Sequence, residues 1–254
     1  MNDAPQITRV RHEIKRRRLT VERVEHLAPK MVRVVLKGEE LQGFTSLGFD
    51  DHVKLFFPGS GGQPAEPVMR DYTPRLYDAG AGELWIDFYL HDAGPATSWA
   101  AQVVPGQTLE VGGPKGSSVI SVEGIDFHVL AGDETALPAI ARRLEELPPD
   151  TRALVVLAEE GEQDYPLESR AKFEVVRVSP GDTDGRAQRI IDALRALSFP
   201  RESCFVWLAT ESHVARAIRR YFIDERGFDK GWIKAAGYWR TGAAAAHENI
   251  MDER

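Results

Sequence analysis

Between Val68 and Asp78 the chain reads VMRDYTPRLYD, which gathers Arg70, Tyr72, Thr73 and Arg75 around Pro74. An arginine presents a planar fork of donors to a phosphate or carboxylate, a tyrosine ring is a flat apolar platform, and a threonine hydroxyl both donates and accepts. On an extended strand residues two apart share a face, so Arg70 and Tyr72 are expected to point the same way. Alone, R-x-Y-T is a short pattern that a surface loop explains equally well. A second stretch, His91-Asp92-Ala93-Gly94-Pro95-Ala96-Thr97-Ser98-Trp99, reads as a loop opening into a helix. Thr97 or Ser98 is the expected N-cap, and the free amides of the first turn would face a phosphate. The competing reading is an ordinary capped helix with Trp99 in the core.

The composition narrows the classes. The chain has 254 residues, 43% of them hydrophobic, and a formal net charge of −7, enough for one large domain or two ordinary ones and unsuited to nonspecific nucleic-acid binding. The basic run Lys15-Arg16-Arg17-Arg18 reads as a solvated lead-in more readily than as a phosphate contact. The one cysteine, Cys204, lies in an apolar run and reads as a buried thiol, which excludes an internal disulfide and a cysteine-based metal site. The seven histidines show no metal-ligand spacing. No apolar run is long enough for a membrane helix, and MNDAPQITRV lacks the apolar core of a signal peptide, so a cytoplasmic protein is expected, with no membrane partner.

The first half reads as short strands broken by turns: two β-rich runs around Pro29, then 52–57, 84–90 and 108–111, with Gly112-Gly113-Pro114 as a loop. These predict a small antiparallel β-barrel over residues 1–123. From residue 124 the rhythm becomes strand, helix, strand. Strands are expected at 127–131, 153–158, 173–178 and 205–209, and helices at 137–147, 186–197 and 213–226. That pattern predicts an α/β domain with a parallel sheet over residues 124–254. Its Gly132-Asp133-Glu134-Thr135 segment reads as a loop between strand and helix, where such domains seat a nucleotide, although acids at a helix start are also ordinary caps. Arg216, Arg219 and Arg220 read as a solvated helix face more readily than as a ribose-phosphate site, and the Ala243–Glu248 tail as a short helix.

A barrel followed by a nucleotide-type α/β domain is the layout of ferredoxin-reductase-like flavoproteins. Over nearly its full length the chain closely resembles the siderophore-interacting protein family of FAD-dependent ferric-siderophore reductases. The resemblance rests on 52–55, 70–75, 94–100, 113–117, 132–140 and 237–240, in that order. It implies FAD held by Arg70, Tyr72, Thr73, Pro74, His91, Gly94, Ala96, Thr97 and Ser98, with Asp133, Thr135, Ala136 and Trp239 near the nicotinamide or flavin. Tyr238 beside Trp239 flanks the flavin or closes the domain interface. NAD(P)H is the implied electron donor, NADPH the favoured form. The two acids at 133–134 depart from the glycine-rich loop and Cys-Gly element of the wider ferredoxin-reductase pattern, which leaves the nicotinamide-binding mode open.

The chemistry suits a chain with no evident catalytic triad or metal cage. Fe(III) in a siderophore is gripped by hard oxygen donors, and reduction to Fe(II) weakens that grip. A flavin reconciles a hydride donor with a one-electron acceptor, so the cofactor carries the difficult step. Lys54, Lys115 and Arg240 are expected to meet an anionic ferric siderophore, a catecholate type above all. Two alternatives stay open, a general flavin or ferric-chelate reductase and an electron-transfer module fed by ferredoxin. A monomer is expected.

Overall fold

The computed structural model describes residues 4–58, 66–91, 94–161, 164–242 and 248–250. The chain forms two compact units, one of Ile7–Val119 with Gln163–Pro166, the other of Met1–Gln6, Ile120–Glu162 and Leu167–Arg254.

The first unit contains β1 (Ile7–Arg11), β2 (Arg16–Ala28), β3 (Met31–Lys37), β4 (Val53–Phe57), β5 (Val68–Tyr72), β6 (Pro74–Asp78), β7 (Glu83–Tyr89), α1 (Pro95–Ala100), β8 (Thr108–Gly112) and β9 (Gly116–Ile120). Seven of the strands form one sheet in the order β5-β4-β8-β2-β3-β7-β6, while β1 pairs with β9. The outer strands β5 and β6 are separated in sequence by Thr73 alone. Two virtual Cα bonds span at most about 7.6 Å, so the two edges of the sheet come together there and the sheet curls on itself. Alternation along β4 sends Val53, Leu55 and Phe57 into the core, with Lys54 and Phe56 outward. β3 is buried nearly throughout; Val32, Val34 and Leu36 join the core and Arg33 does not.

Arg33 is instead matched to its cross-strand partner Asp87. The guanidinium donates from Nε to Oδ1 at 2.7 Å and from Nη2 to Oδ2 at 2.8 Å, and the Tyr165 hydroxyl adds a 2.6 Å bond to Oδ2. Tyr165 belongs to the short 163–166 segment, so a piece of chain from the second half completes a buried network of the first unit. Burial and the adjacent carboxylate raise the Tyr165 phenol well above its usual range.

The second unit carries β10 (Phe127–Asp133), α2 (Leu137–Glu146), β11 (Arg152–Ala158), β12 (Lys172–Val178), α3 (Thr183–Ala196), β13 (Cys204–Glu211), α4 (Ser212–Arg220), β14 (Ile233–Trp239) and β15 (Glu248–Ile250). Its sheet runs β12-β11-β10-β13-β14-β15, parallel except for the last strand. Runs such as Ala153–Ala158 and Cys204–Glu211 are buried at every position because helices cover both faces of a parallel sheet. Cys204 is fully buried and desolvation pushes its thiol up to about 12. His128 is fully buried too, its ring edge-on to Phe205, and burial with Arg143 nearby pushes it down to about 3.

Several expectations are corrected here. β10 continues through Asp133, so the anticipated 132–135 loop is a strand end followed by a tight turn at Glu134–Ala136. A Cβ on Gly132 would lie 2.3 Å from the Ala209 carbonyl oxygen and 2.6 Å from the Ala136 Cβ, so only glycine lets that turn close. The helix expected to reach 226 ends at Arg220 and passes into a wider turn, Tyr221–Glu225. Gly112, expected in a loop with Gly113 and Pro114, is the last residue of β8, and β14 carries Tyr238 and Trp239 at its end. Glu248 pairs in a strand antiparallel to β14, where a helix was expected; residues 243–247 of that stretch lie outside the described residues.

Candidate functional site

In the first unit the R-x-Y-T segment lies on edge strand β5, where Arg70 faces Leu55 and Tyr72 faces Val53 across the ladder. Both partners are fully buried, so Arg70 and Tyr72 share the inner face of the sheet. The half-buried Tyr72 ring packs on Phe88 at 4.5 Å and on Phe57 at 6.5 Å between centroids. Desolvation raises its phenol above the usual range. Trp99 of α1 packs on the same two rings, at 5.5 Å from Phe57 and 5.7 Å from Phe88. This aromatic quartet brings the two sequence motifs, 25 or so residues apart, side by side.

The helix does not start where expected. Pro95 is its first residue and Gly94, extended, is the N-cap with no side-chain bond, so neither Thr97 nor Ser98 caps it. Proline suits this position because its fixed φ is already helical and its missing N–H would have no partner there. Thr97 falls two residues further in and is 8% exposed, and its buried hydroxyl has no hydrogen-bond partner among the described residues. An orphaned buried hydroxyl costs about 1–3 kcal/mol unless something outside the fold satisfies it. A Cβ on Gly94 would meet nothing within 4 Å, so the helix start is open. Arg70 spends one donor on the adjacent Met69 carbonyl at 2.8 Å and makes no ion pair among the described residues. Thr73 links the two sheet edges, Ala96 is buried beneath the helix, Ser98 is exposed, and His91 is exposed and stacked on Tyr89. An open backbone, an unsatisfied hydroxyl, a spare guanidinium and a tyrosine platform together fit a ligand with a diphosphate and a flat ring system.

The second cation of the segment goes elsewhere. The β6–β7 register slips between Pro74 and Leu76, so Arg75 occupies a bulge. It is 6% exposed and interacts electrostatically with Arg33 and Tyr165, joining the Asp87 network.

In the second unit the strand order reverses direction between β10 and β13, and the carboxyl ends at such a switch point form the usual nucleotide crevice. Asp133 stands there, 1% exposed. Its Oδ2 accepts from Thr210 Oγ1 at 2.7 Å and from Trp239 Nε1 at 2.9 Å, while Oδ1 accepts from the Thr135 amide at 3.1 Å and the Thr135 hydroxyl. Arg186 approaches at 3.7 Å and lies over the Trp239 ring, 5.4 Å from its centroid. Asp133 is therefore occupied by protein donors and holds Thr135, Thr210 and Trp239 in place. Ala136 is buried under the same turn. Thr210 and Arg186 were invisible to sequence reading: nothing in their neighbourhood marks a residue that a distant aspartate will bind.

The three expected substrate cations divide between the units. Lys54 is on the outer face of β4, opposite to the face of Arg70 and Tyr72, and pairs with Asp71 at 2.8 Å. Lys115 is exposed at the turn before β9, and Arg240 is exposed just beyond β14. Arg216 forms a two-bond fork with Glu248, both contacts 2.9 Å, holding that carboxylate down to about 2, and Arg219 is buried.

Comparison with known proteins follows the same two parts. The "siderophore-interacting FAD-binding domain" model matches residues 20–66 and 62–118, and the "siderophore-interacting protein" model matches residues 125–242. An "NADPH-dependent ferric-chelate reductase" from Escherichia coli is 38% identical over 95% of this chain and 100% of its own length. A "ferric vibriobactin reductase" from Vibrio cholerae is 30% identical over 91% of this chain and 93% of its own. The crystal structure of a siderophore utilization protein from T. fusca superposes with a TM-score of 0.79 at 36% identity, covering 94% and 98% of the two chains. Matched across both units by family models and end to end by these relatives, the chain belongs to the siderophore-interacting protein family.

Proposed function

We propose that the protein is a FAD-dependent NAD(P)H:ferric-siderophore oxidoreductase that reduces the chelated Fe(III) to Fe(II) and so releases it. The observation that carries the site is the quartet of Phe57, Tyr72, Phe88 and Trp99, which sets the open start of α1, with its orphaned Thr97 hydroxyl, beside Arg70. FAD, once bound, takes an electron pair as hydride and delivers electrons singly to iron.

The residues of this chain supply binding, orientation and charge. Arg70 pairs with the diphosphate, and the Thr97 hydroxyl and the amides near Gly94, Ala96 and Ser98 donate to it. Tyr72, braced from behind by Phe88, holds the ring system flat, with Thr73 and Pro74 setting the strand-to-strand link beside it and His91 at the exposed margin. At the switch point Thr135 and Ala136 shape the nicotinamide crevice, with Trp239 anchored by Asp133 as its wall. Asp133 is a positioning residue, since its lone pairs are spent on the protein. Lys54, Lys115 and Arg240 attract an anionic ferric complex, a catecholate type by the sign of the charge. NADPH is the favoured donor, in keeping with the named activity of the Escherichia coli relative, and the protein acts as a cytoplasmic monomer.

The balance is one NADPH for two ferric ions, giving NADP⁺, one proton and two Fe(II). The test is an anaerobic titration of the purified protein with NADPH, followed by ferric catecholate and an Fe(II)-specific chelator. Flavin bands that bleach and then recover with two Fe(II) per NADPH support the reading. Bands that bleach with reduced ferredoxin and not with NADPH or NADH replace the donor, and a protein that takes up no FAD ends the proposal.

A further inference from the structure

In the basic run near the N-terminus, Lys15, Arg16 and Arg18 are exposed and Arg17 is not. Arg16 is exposed, lies over the Phe56 ring at 3.9 Å and pairs with Glu110. Arg17, one residue on, turns inward and is 4% exposed. Its guanidinium lies over the Phe44 ring, 5.2 Å from the centroid, and its hydrogen bonds among the described residues go to backbone carbonyls: Nε donates to Glu40 at 2.9 Å, and Nη1 to Gly113 at 3.0 Å and Lys15 at 3.4 Å. No carboxylate bonds it, and Nη2 has no hydrogen-bond partner among the described residues. A buried cation without a bonded counter-charge is costly, and desolvation lowers the Arg17 pKa despite the field of Tyr77, Glu13 and Glu40.

Arg17 borders a cavity of about 210 Å³ lined also by Arg11, His12, Glu13, Lys15, Thr45 and the Gly113-Pro114 turn, all in the first unit. Three cations against one carboxylate leave the lining positive in a chain whose net charge is −7. Glu13 is engaged with Lys15 at 3.3 Å, and Arg11 has no ion pair among the described residues. His12 is fixed in the wall. The buried Asp51 carboxylate accepts the Ser117 hydroxyl proton at 2.5 Å, so Ser117 can only accept from His12 Nε2 at 2.8 Å. Nε2 is therefore the protonated nitrogen, and the ring is held by a relay that ends on Asp51, which Ser46 Oγ and the Gly48 amide also bond. A buried guanidinium with a spare donor, two exposed cations, a positioned imidazole and the Thr45 hydroxyl are the donor set of a tetrahedral anion site.

We propose that this cavity binds a phosphate-type oxyanion, either inorganic phosphate or the phosphate end of a monoester. It is a second anion site, built from the end of β1, the start of β2, Thr45 and Gly113-Pro114, and its lining includes none of the residues assigned to FAD, nicotinamide or siderophore.

The test is calorimetric titration of inorganic phosphate, and in a second arm glycerol 3-phosphate, into the full chain in the presence of FAD, with chloride at matched ionic strength. One saturable site is expected, weakened about tenfold or more in Arg11→Gln/Lys15→Gln, as losing charge-assisted contacts demands. Both positions are exposed, so the melting temperature of that variant without phosphate should equal the parent's; Arg17→Lys, which keeps the charge and loses the fork, should weaken binding as well. The tighter of the two ligands identifies the source of the phosphate. Heat no greater than that of chloride, or equal affinity in the double variant, overturns the proposal. So does loss of phosphate binding in Thr97→Val with retention in the double variant, which would place the anion in the flavin site.

Discussion

The Thr97 hydroxyl is buried and has no hydrogen-bond partner among the described residues, which makes the residue a direct probe of the flavin assignment. Thr97→Val removes an unsatisfied group from the folded protein and a donor from the complex. FAD affinity should fall about tenfold, the worth of one hydrogen bond to a charged group, while the melting temperature of the flavin-free protein stays the same or rises. A matching loss of stability without flavin would show that the hydroxyl serves the fold. His128 is a second residue with a readable signature. Its neutral ring is buried, so the unfolded chain binds the proton first, near the ordinary 6.5, and the folded chain only near 3. Stability is therefore complete above pH 6.5 and declines as the pH falls toward 3, by up to about 1.4 kcal/mol per pH unit from this group. Denaturant midpoints measured from pH 7 to 4 should flatten in His128→Phe relative to the parent.

At the scale of elements, ties between strand ends decide what the site can do. Asp133 joins the ends of β10, β13 and β14 through Thr210 and Trp239, both on the same carboxylate oxygen. In Asp133→Asn either donor would face an amide N–H₂ in one flip state or Thr135 would in the other, so one bond must fail. A loss of about 1–3 kcal/mol of stability is expected, with a raised KM for NADPH and a nearly unchanged FAD affinity. Unchanged KM would separate the hub from the nicotinamide crevice. Such ties set the limit of what sequence reveals. Alternation at Val53, Leu55 and Phe57, the shared face of Arg70 and Tyr72, and the strand–helix rhythm after residue 124 are all local patterns, and each is present in the structure. Arg70 and Arg75 look alike in sequence and part company only because a bulge after Pro74 turns one into the Asp87 network. Arg17 looks like one of four surface cations until the carbonyls of Glu40 and Gly113, distant in sequence, enclose it. The Gly112-Gly113-Pro114 stretch reads as a loop by composition, yet Gly112 is paired with Arg16 and Lys54 at the end of β8.

Across the whole molecule, the chain does not divide into two consecutive lengths. Gln163–Pro166 packs with the first unit, and the Tyr165 hydroxyl completes the shell of the buried Asp87 carboxylate. A protein ending at residue 123 would lack that donor and expose the Arg33–Asp87 pair to water. It is expected to unfold at lower denaturant than the first unit does in the full chain, and Tyr165→Phe in the full chain should reproduce about 1–2 kcal/mol of the difference. Asp87→Ala should cost more, about 3–5 kcal/mol, because it strands Arg33 with no counter-charge and Arg75 close by. Equal stability of the shortened and full-length forms would show that water replaces Tyr165 without loss.

The solitary thiol has a practical corollary. Cys204 is fully enclosed and its thiolate is suppressed at any working pH, so maleimides and nitroxide reagents should pass the native protein by. A second cysteine placed at exposed Val104 or Leu47 would then be the one reactive handle, with no background to remove. A spin label or fluorophore at such a position would report its distance to the flavin during turnover, in a chain that needs no prior removal of its native cysteine.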